Sequence, residues 1–208
     1  MSAVPQPHLT YQEYLARERV AEYKNEYYQG EIFAMTGGTP EHNTASVNTL
    51  AGLHRQLIGS GCRPFNSDQR IRIPASGLAT YPDISVFCGR PQRDELDSDA
   101  FNNPRLIIEI LSTSTESYDR GQKFARYREL DSLLEYVLVS QRELNVERFA
   151  RRDDGTWVLT VLQGMDAVLR FESIEAELTL AEIYRDVDFA AQQGDDGGKA
   201  EADAERIR

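Results

Sequence analysis

Glu109 is a carboxylate in the middle of an aliphatic segment, and this setting makes it a candidate for chemistry. Apart from Glu109 and the arginine that begins the run, residues 105–111 are all Ile or Leu. A short run of this kind, bounded by Asn-Asn-Pro and by Ser and Thr residues, predicts a buried strand. An isolated ionised carboxylate is costly to bury, so a buried one is paired, hydrogen-bonded, protonated or bound to a metal. Glu109 therefore indicates a functional site.

Asp83 is the acidic residue that we expect opposite Glu109. It lies within a second strand-like run, residues 80–88, in which alternation places Asp83 on the same face as Ser85. If the two strands are neighbours, the carboxylates approach within a few ångströms, where like charges repel by roughly 4 kcal/mol at an effective dielectric of about 20. The pair therefore needs a positive charge beside it.

Lys123 is the candidate for that positive charge. The segment from Asp119 to Leu130 has helical spacing, with Asp119 as its predicted N-cap. Lys123 lies near the start of this helix and close to the loop that follows the Glu109 strand, so its ammonium could reach both carboxylates. Tyr127 lies one helical turn further on the same face, where its hydroxyl could hydrogen-bond a carboxylate or a phosphate.

Three other helices are predicted by their N-terminal signals. Thr10 and Thr179 each precede a glutamate by three residues, which is a capping box. Thr39 followed by Pro40 opens a longer helix that ends before Gly59. The apolar face predicted for the longer helix comprises Val47, Leu50, His54, Leu57 and Ile58.

Strand patterns occupy the segments between the helices. Gln29-Gly30 predicts the turn of one hairpin, and an Asp-Asp-Gly sequence separates the two strands of another. Further strands are predicted within residues 62–73, 81–88, 105–111 and 135–139. This order predicts an α/β (α+β) fold with a central mixed β-sheet flanked by helices. We expect one domain over residues 1–189 and an acidic, disordered tail over residues 190–208.

Composition favours a single soluble domain, because the 208 residues are 40% hydrophobic and 27% charged. No apolar run is long enough to cross a bilayer and no secretory signal begins the sequence, so we expect a cytoplasmic protein. Cys62 and Cys88 form no C-x-x-C pair, and the three histidines lack zinc-ligand spacing. We therefore expect neither a zinc site nor a structural disulfide.

The net charge of −11 argues against a protein that coats nucleic acid. The balance reverses within residues 105–128, where five bases and three acids give a local net charge of +2. The bases are Arg105, Arg120, Lys123, Arg126 and Arg128, and the acids are Glu109, Glu116 and Asp119. A local basic patch could still meet phosphate.

The order of these motifs resembles the PD-(D/E)xK nuclease superfamily and, more narrowly, the bacterial Uma family of restriction endonucleases. The matching pieces lie in residues 30–42, 81–86, 104–112 and 119–127, so the resemblance spans most of the chain. It implies an endonuclease that hydrolyses DNA with Mg²⁺, or Mn²⁺ in its place, as the cofactor. It also implies that Asp83, Glu109 and the backbone carbonyl of Ile110 bind this metal.

The resemblance assigns catalytic roles to three further residues. Glu31 would be an additional ligand or would orient the attacking water. The superfamily usually carries a lysine two positions after the strand glutamate, but Leu111 stands there in this sequence. The resemblance implies that Lys123 takes the role of that lysine, because a flexible four-carbon side chain can reach the site from the following helix. Tyr127 would assist from the same helix.

Each of these residues, taken alone, is also compatible with an ordinary structural role. Asp83 could simply begin a strand after a turn proline, Lys123 could be a solvated helix residue, and Glu31 could be an exposed strand position. His42 could be structural or could contact substrate. The alternative function is a nuclease fold that no longer cuts and serves as a binding or assembly module, motivated by the acidic charge and Leu111. RNA is an alternative substrate, and a homodimer is expected by analogy alone.

Overall fold

The computed structural model describes residues 8–35, 37–112 and 115–190. The predicted acidic tail, residues 190–208, lies outside these ranges apart from Ala190. None of the helices in the described ranges combines the length and the apolar composition that a membrane span needs.

The helices begin at the residues that the capping signals indicate. Helix α1 spans Tyr11–Glu18, α2 spans Pro40–Leu57 and α5 spans Leu180–Ile183. Capping boxes at Thr10 and Thr179 and the Thr39 N-cap followed by Pro40 are all present. Between α2 and α5, one continuous helical segment covers residues 116–127. It consists of α3 (Glu116–Tyr118), a π-helical turn (Asp119–Lys123) and α4 (Phe124–Tyr127).

Thirteen strands in the described ranges form three sheets. The strands are β1 (Asn25–Tyr28), β2 (Glu31–Ala34), β3 (Cys62–Phe65), β4 (Arg70–Ile73), β5 (Leu78–Thr80), β6 (Ile84–Cys88), β7 (Ala100–Phe101), β8 (Leu106–Leu111), β9 (Glu135–Ser140), β10 (Asn145–Arg151), β11 (Trp157–Gln163), β12 (Val168–Phe171) and β13 (Ala176–Thr179). A mixed six-stranded sheet has the order β11-β10-β9-β8-β6-β3, a five-stranded sheet has the order β2-β1-β5-β4-β7, and β12 pairs with β13. The predicted mixed sheet flanked by helices is therefore confirmed.

The six-stranded sheet is covered on both faces, which is why its central strand β8 is buried throughout. One face of β6 and β8, which includes Ile84 and Ile108, packs against α2. The opposite face, which includes Phe87 and Ile107, packs against the five-stranded sheet and the helical segment 116–127. By the same alternation Glu109 points to the second face, between the sheet and the helix that carries Lys123.

The predicted apolar face of α2 is only partly correct. The buried residues of α2 are Ala45, Thr49, Gly52, Leu53 and Leu57. Val47 and Ile58 are exposed, as is His54, so the prediction was wrong for these three residues. Small residues on the buried face allow close packing, and a Cβ added at Gly52 would lie 2.6 Å from a methyl group of Leu178. Small residues give a weak hydrophobic signal, which is why the spacing of the larger apolar residues predicted the wrong face of α2.

The expectation that the chain lacks a structural disulfide is wrong. Cys62 on β3 and Cys88 on β6 are directly opposite each other in an antiparallel pair and are joined by a disulfide bond. Their separation of 26 residues carries no pairing signal, because the contact depends on the register between β3 and β6. The bond attaches the edge strand β3 to the strand that follows Asp83.

Candidate active site

Asp83 and Glu109 meet where β6 and β8 run side by side. The two strands are antiparallel with Ile84 opposite Ile108, so Asp83, the residue before β6, comes next to Glu109. The backbone N–H of Asp83 donates a hydrogen bond to Glu109 Oε2 at 3.3 Å. The backbone N–H of Ile110 donates to Asp83 Oδ2 at 2.7 Å. Asp83 and Glu109 therefore meet as the sequence predicts, and Ile110 contacts Asp83 through its backbone N–H.

Lys123 reaches this pair from the helical segment 116–127. Its Nζ lies 2.9 Å from Glu109 Oε1, 3.4 Å from Asp119 Oδ1 and 3.4 Å from Glu26 Oε1. The lysine side chain is 6% exposed, so these ion pairs lie in the protein interior. Asp119 is not the N-cap that the sequence predicted, because the helix already begins at Glu116. Asp119 and Lys123 instead open and close a π-helical turn, a distortion that is frequent at functional sites.

Tyr127 holds the carboxylate of Glu109 from the next helical turn. Its hydroxyl donates a hydrogen bond to Glu109 Oε1 at 2.9 Å, and the ring is completely buried. The same oxygen therefore receives both the Tyr127 hydroxyl and the Lys123 ammonium. This arrangement fixes the orientation of Glu109 before any ligand arrives.

His42 contacts Asp83 at the more open end of the cluster. The residue lies in the first turn of α2, and its Nε2 is 3.1 Å from Asp83 Oδ1. The side chains of His42 and Asp83 are 15% and 18% exposed, compared with 4% for Glu109, so a ligand would approach from this end. Burial opposes the charge on His42, but the hydrogen bond and negative charge of Asp83 together raise its pKa above the ordinary value.

Glu26 is a member of the cluster that the sequence reasoning missed. It lies on β1, is 7% exposed and accepts a hydrogen bond from Thr80 Oγ1 while contacting Lys123. Glu31, the predicted residue, lies on β2, is exposed, and forms no ion pair within the described ranges. The available signal was weak, because Glu26 follows Asn25 and precedes two tyrosines, whereas Glu109 has isoleucine on both sides. The sequence could not reveal that both faces of β1 are covered at this point.

The cluster contains more negative than positive charge. Three carboxylates, those of Glu26, Glu109 and Asp119, contact the ammonium of Lys123, and a fourth, that of Asp83, adjoins Glu109 and contacts His42. Burial raises the pKa of Glu109. The Lys123 ammonium opposes that rise, and the charges of Asp119 and Asp83 add to it. Burial also raises the pKa of Asp119, against the opposing effect of Lys123. The interior therefore disfavours the charge on these two carboxylates unless a further cation is present.

The donor set fits a hard divalent cation. All the candidate ligands are oxygens, and magnesium is bound by one or two carboxylates, with water and phosphate filling the remaining positions. Among the residues that the structure describes, no three His, Cys, Asp or Glu side chains converge closely enough to enclose a metal by themselves.

The fold and the site define a restriction-endonuclease-like protein: a mixed sheet, acidic residues on two adjoining strands and a lysine from the next helix. Residues 11–182 match the Uma2 family, whose description is "Putative restriction endonuclease". This match covers most of the chain, so the protein belongs to the Uma2 family, and the resemblance inferred from the motifs is confirmed.

Curated relatives and a solved structure agree with this assignment. An uncharacterized protein of Synechocystis is 36% identical over 187 residues, which cover 90% of this chain and 97% of that protein. A second uncharacterized Synechocystis protein is 37% identical over 163 residues, covering 78% and 92% of the two chains. A crystal structure from Anabaena variabilis, described as "a putative nuclease belonging to DUF820", superposes with a TM-score of 0.70 at 20% identity. The superposition covers 85% of this chain and 97% of that chain, and it supports the fold.

Proposed function

We propose that this protein is a magnesium-dependent endonuclease that hydrolyses phosphodiester bonds in DNA, with Mn²⁺ able to replace Mg²⁺. The observation that carries the proposal is the approach of Asp83 and Glu109 on neighbouring strands, with Lys123 Nζ 2.9 Å from Glu109. The single positive charge of Lys123 cannot balance the three buried carboxylates that it contacts. A divalent cation would offset the excess negative charge and supply the chemistry that the family description implies.

Asp83 and Glu109 would hold this cation together with the backbone carbonyl of Ile110. When bound, such an ion would supply Lewis-acid chemistry toward a phosphate oxygen and a water. His42 contacts Asp83 Oδ1 and would keep that carboxylate in position, because partners of metal ligands orient them. Glu26 takes the role that the motif suggested for Glu31, since Glu26 rather than Glu31 lies against Lys123.

Lys123 would act through its charge. Burial lowers the pKa of Lys123, but Glu109, Tyr127, Glu26 and Asp119 raise it well above the ordinary value, so the side chain remains an ammonium. A fixed ammonium can stabilise negative charge that develops on a phosphate during hydrolysis. Tyr127 would maintain the orientation of Glu109 through its hydrogen bond to Oε1.

The test is cleavage of supercoiled plasmid by the purified protein. We expect nicking with Mg²⁺ or Mn²⁺ and none with EDTA. Asp83→Asn and Glu109→Gln should each reduce the rate at least about a hundredfold, because each removes a metal ligand. Glu26→Gln should also cut more slowly, whereas the matched change Glu31→Gln on the neighbouring strand should cut like the parent.

Calorimetry separates an enzyme from a nuclease fold that no longer cuts. The parent should bind Mg²⁺, and Asp83→Ala, once its folding has been verified by thermal unfolding, should not. A parent protein that neither binds Mg²⁺ nor cuts DNA would contradict the proposal and favour the binding-module alternative.

The same cleavage assay with single-stranded and double-stranded RNA tests whether the protein prefers DNA or RNA. Size-exclusion chromatography tests whether two copies associate, which would provide two sites for cutting both strands.

A further inference from the structure

Arg126 is held rigidly beside the active-site cluster by three uncharged side chains. Its guanidinium carbon lies 3.4 Å from the centroid of the Tyr28 ring. One terminal nitrogen donates a hydrogen bond to the hydroxyl of Tyr118 at 2.7 Å, and the other donates to Gln122 Oε1 at 3.1 Å. The side chain is half-buried. Its conformational freedom is therefore already restricted before any ligand binds.

The positive charge of Arg126 is not neutralised by these partners. Arg120, which lies on the same helical segment, forms ion pairs with Glu116 and Glu147. Arg126 forms no ion pair anywhere in the described ranges, although the protein carries a net charge of −11. A guanidinium has five N–H groups, and the two hydrogen bonds to Tyr118 and Gln122 leave donors for an anion.

Contacts connect Arg126 to the candidate active site. The Tyr118 hydroxyl, which accepts from Arg126, lies 3.5 Å from Glu26 Oε2. The other oxygen of Glu26 is 3.4 Å from Lys123 Nζ. Arg126 also follows Lys123 by three positions on the helical segment, so the two basic side chains leave neighbouring positions of one helix surface. Arg126 thus lies at the border of the acidic cluster, beside two residues that contact Glu26.

We propose that Arg126 binds a backbone phosphate of the nucleic acid next to the phosphate that is hydrolysed. The proposal rests on the proposed nuclease function and adds a location for the substrate backbone. A planar guanidinium matches the geometry of a phosphate better than an ammonium does, and its stacking on Tyr28 keeps it oriented. Such contacts fix the position of the substrate without reading its sequence.

The experiment measures binding of a fluorescent DNA duplex by anisotropy, with Ca²⁺ replacing Mg²⁺, over a series of salt concentrations. Arg126→Gln should weaken binding about tenfold and lower the slope of log K against log salt by about one. Arg128→Gln is the matched control, because it removes the same charge two positions away, from a side chain whose guanidinium lies over the Phe124 ring. It should change the affinity less than about twofold and leave the slope unchanged.

Two conservative variants test the geometry. Arg126→Lys should keep the salt slope but lose part of the affinity, because the charge remains while the planar guanidinium that stacks on Tyr28 is lost. Tyr118→Phe should weaken binding less than Arg126→Gln, because it removes one of the groups that orient Arg126. Equal effects of Arg126→Gln and Arg128→Gln would overturn the inference. If the two variants have equal effects while Asp83→Asn still abolishes cleavage, the phosphate site at Arg126 is wrong and the nuclease proposal remains. A parent protein that does not bind the duplex overturns both.

Discussion

Two clusters of buried charge, one centred on Arg70 and one on Lys123, differ in how their charges balance. In the first, Arg70 Nε donates to Asp97 Oδ2 at 2.6 Å, and the Tyr11 hydroxyl donates to the same oxygen at 3.2 Å. The other oxygen of Asp97 accepts from the backbone N–H of Asp99. One cation therefore meets one anion, and both carboxylate oxygens have donors.

In the Lys123 cluster one ammonium contacts three carboxylates, those of Glu26, Glu109 and Asp119. Asp119 Oδ1 is buried without a hydrogen-bond donor in the described part of the chain, and Lys123 Nζ lies 3.4 Å away. Burial raises the pKa of Asp97 too, but the hydrogen bond and charge of Arg70 outweigh burial and lower its pKa overall. For Asp119 and Glu109 burial prevails, and their pKa values rise. Buried charge alone does not indicate a site, and the excess of negative charge around Lys123 is the reason for the cation that we propose there.

Asp97→Asn should produce the largest loss of stability among the changes considered for these clusters. The substitution leaves the Arg70 guanidinium buried without its anion, which typically costs about 3–5 kcal/mol. The free energy of unfolding, measured by urea denaturation at neutral pH, should fall by that amount. Cleavage per folded molecule should stay at the parental level, because the Arg70 cluster contributes no residue to the candidate active site.

An exposed ion pair provides the control for this prediction. Arg170 and Glu177 are paired at 3.2 Å with 67% and 61% of their side chains exposed. Glu177→Gln should change the free energy of unfolding by less than about 1 kcal/mol. Equal losses of stability for Asp97→Asn and Glu177→Gln would mean that the buried Arg70–Asp97 pair stabilises the fold no more than an exposed ion pair does.

The lowered pKa of Asp97 predicts a specific loss of stability in acid. A group whose pKa is lower in the folded state contributes stability that is complete above its unfolded pKa, about 3.9 for aspartate. This contribution is lost as the pH falls through the folded pKa of Asp97. The stability difference between the parent and Asp97→Asn should therefore be largest near neutral pH and shrink in acid. Urea denaturation from pH 7 to pH 3 measures it, and a difference independent of pH would contradict the assignment.

Local signals in the sequence were sufficient for many of the elements. The capping boxes at Thr10 and Thr179 and the turn at Gln29-Gly30 act within a few residues, so they could be read directly. Glu109 could be identified because a carboxylate within an aliphatic strand conflicts with its surroundings. Its partner Asp83 followed from one further step, the assumption that two consecutive long strands pair.

The features that escaped prediction depend on contacts between distant segments. Glu26 joins the cluster because β1, in the other sheet, passes beside Lys123, and no local pattern encodes that approach. The Cys62–Cys88 bond depends on the register of β3 against β6. The role of Asp119 depends on a π-helical turn, which has no known signature in the residues themselves. In each case tertiary packing decided the outcome.

Asp119→Asn should change the free energy of unfolding least, and in the opposite direction to Asp97→Asn. The two substitutions make the same chemical change, an aspartate replaced by its neutral amide, at two buried positions. Because the folded state raises the pKa of Asp119, it disfavours the charge that the substitution removes. In EDTA at neutral pH, the free energy of unfolding of Asp119→Asn should therefore equal or slightly exceed that of the parent. Urea denaturation of both variants in one buffer provides the measurement. A destabilisation comparable to that of Asp97→Asn would mean that Lys123 already balances its carboxylates, and the electrostatic reason for a metal at this site would disappear.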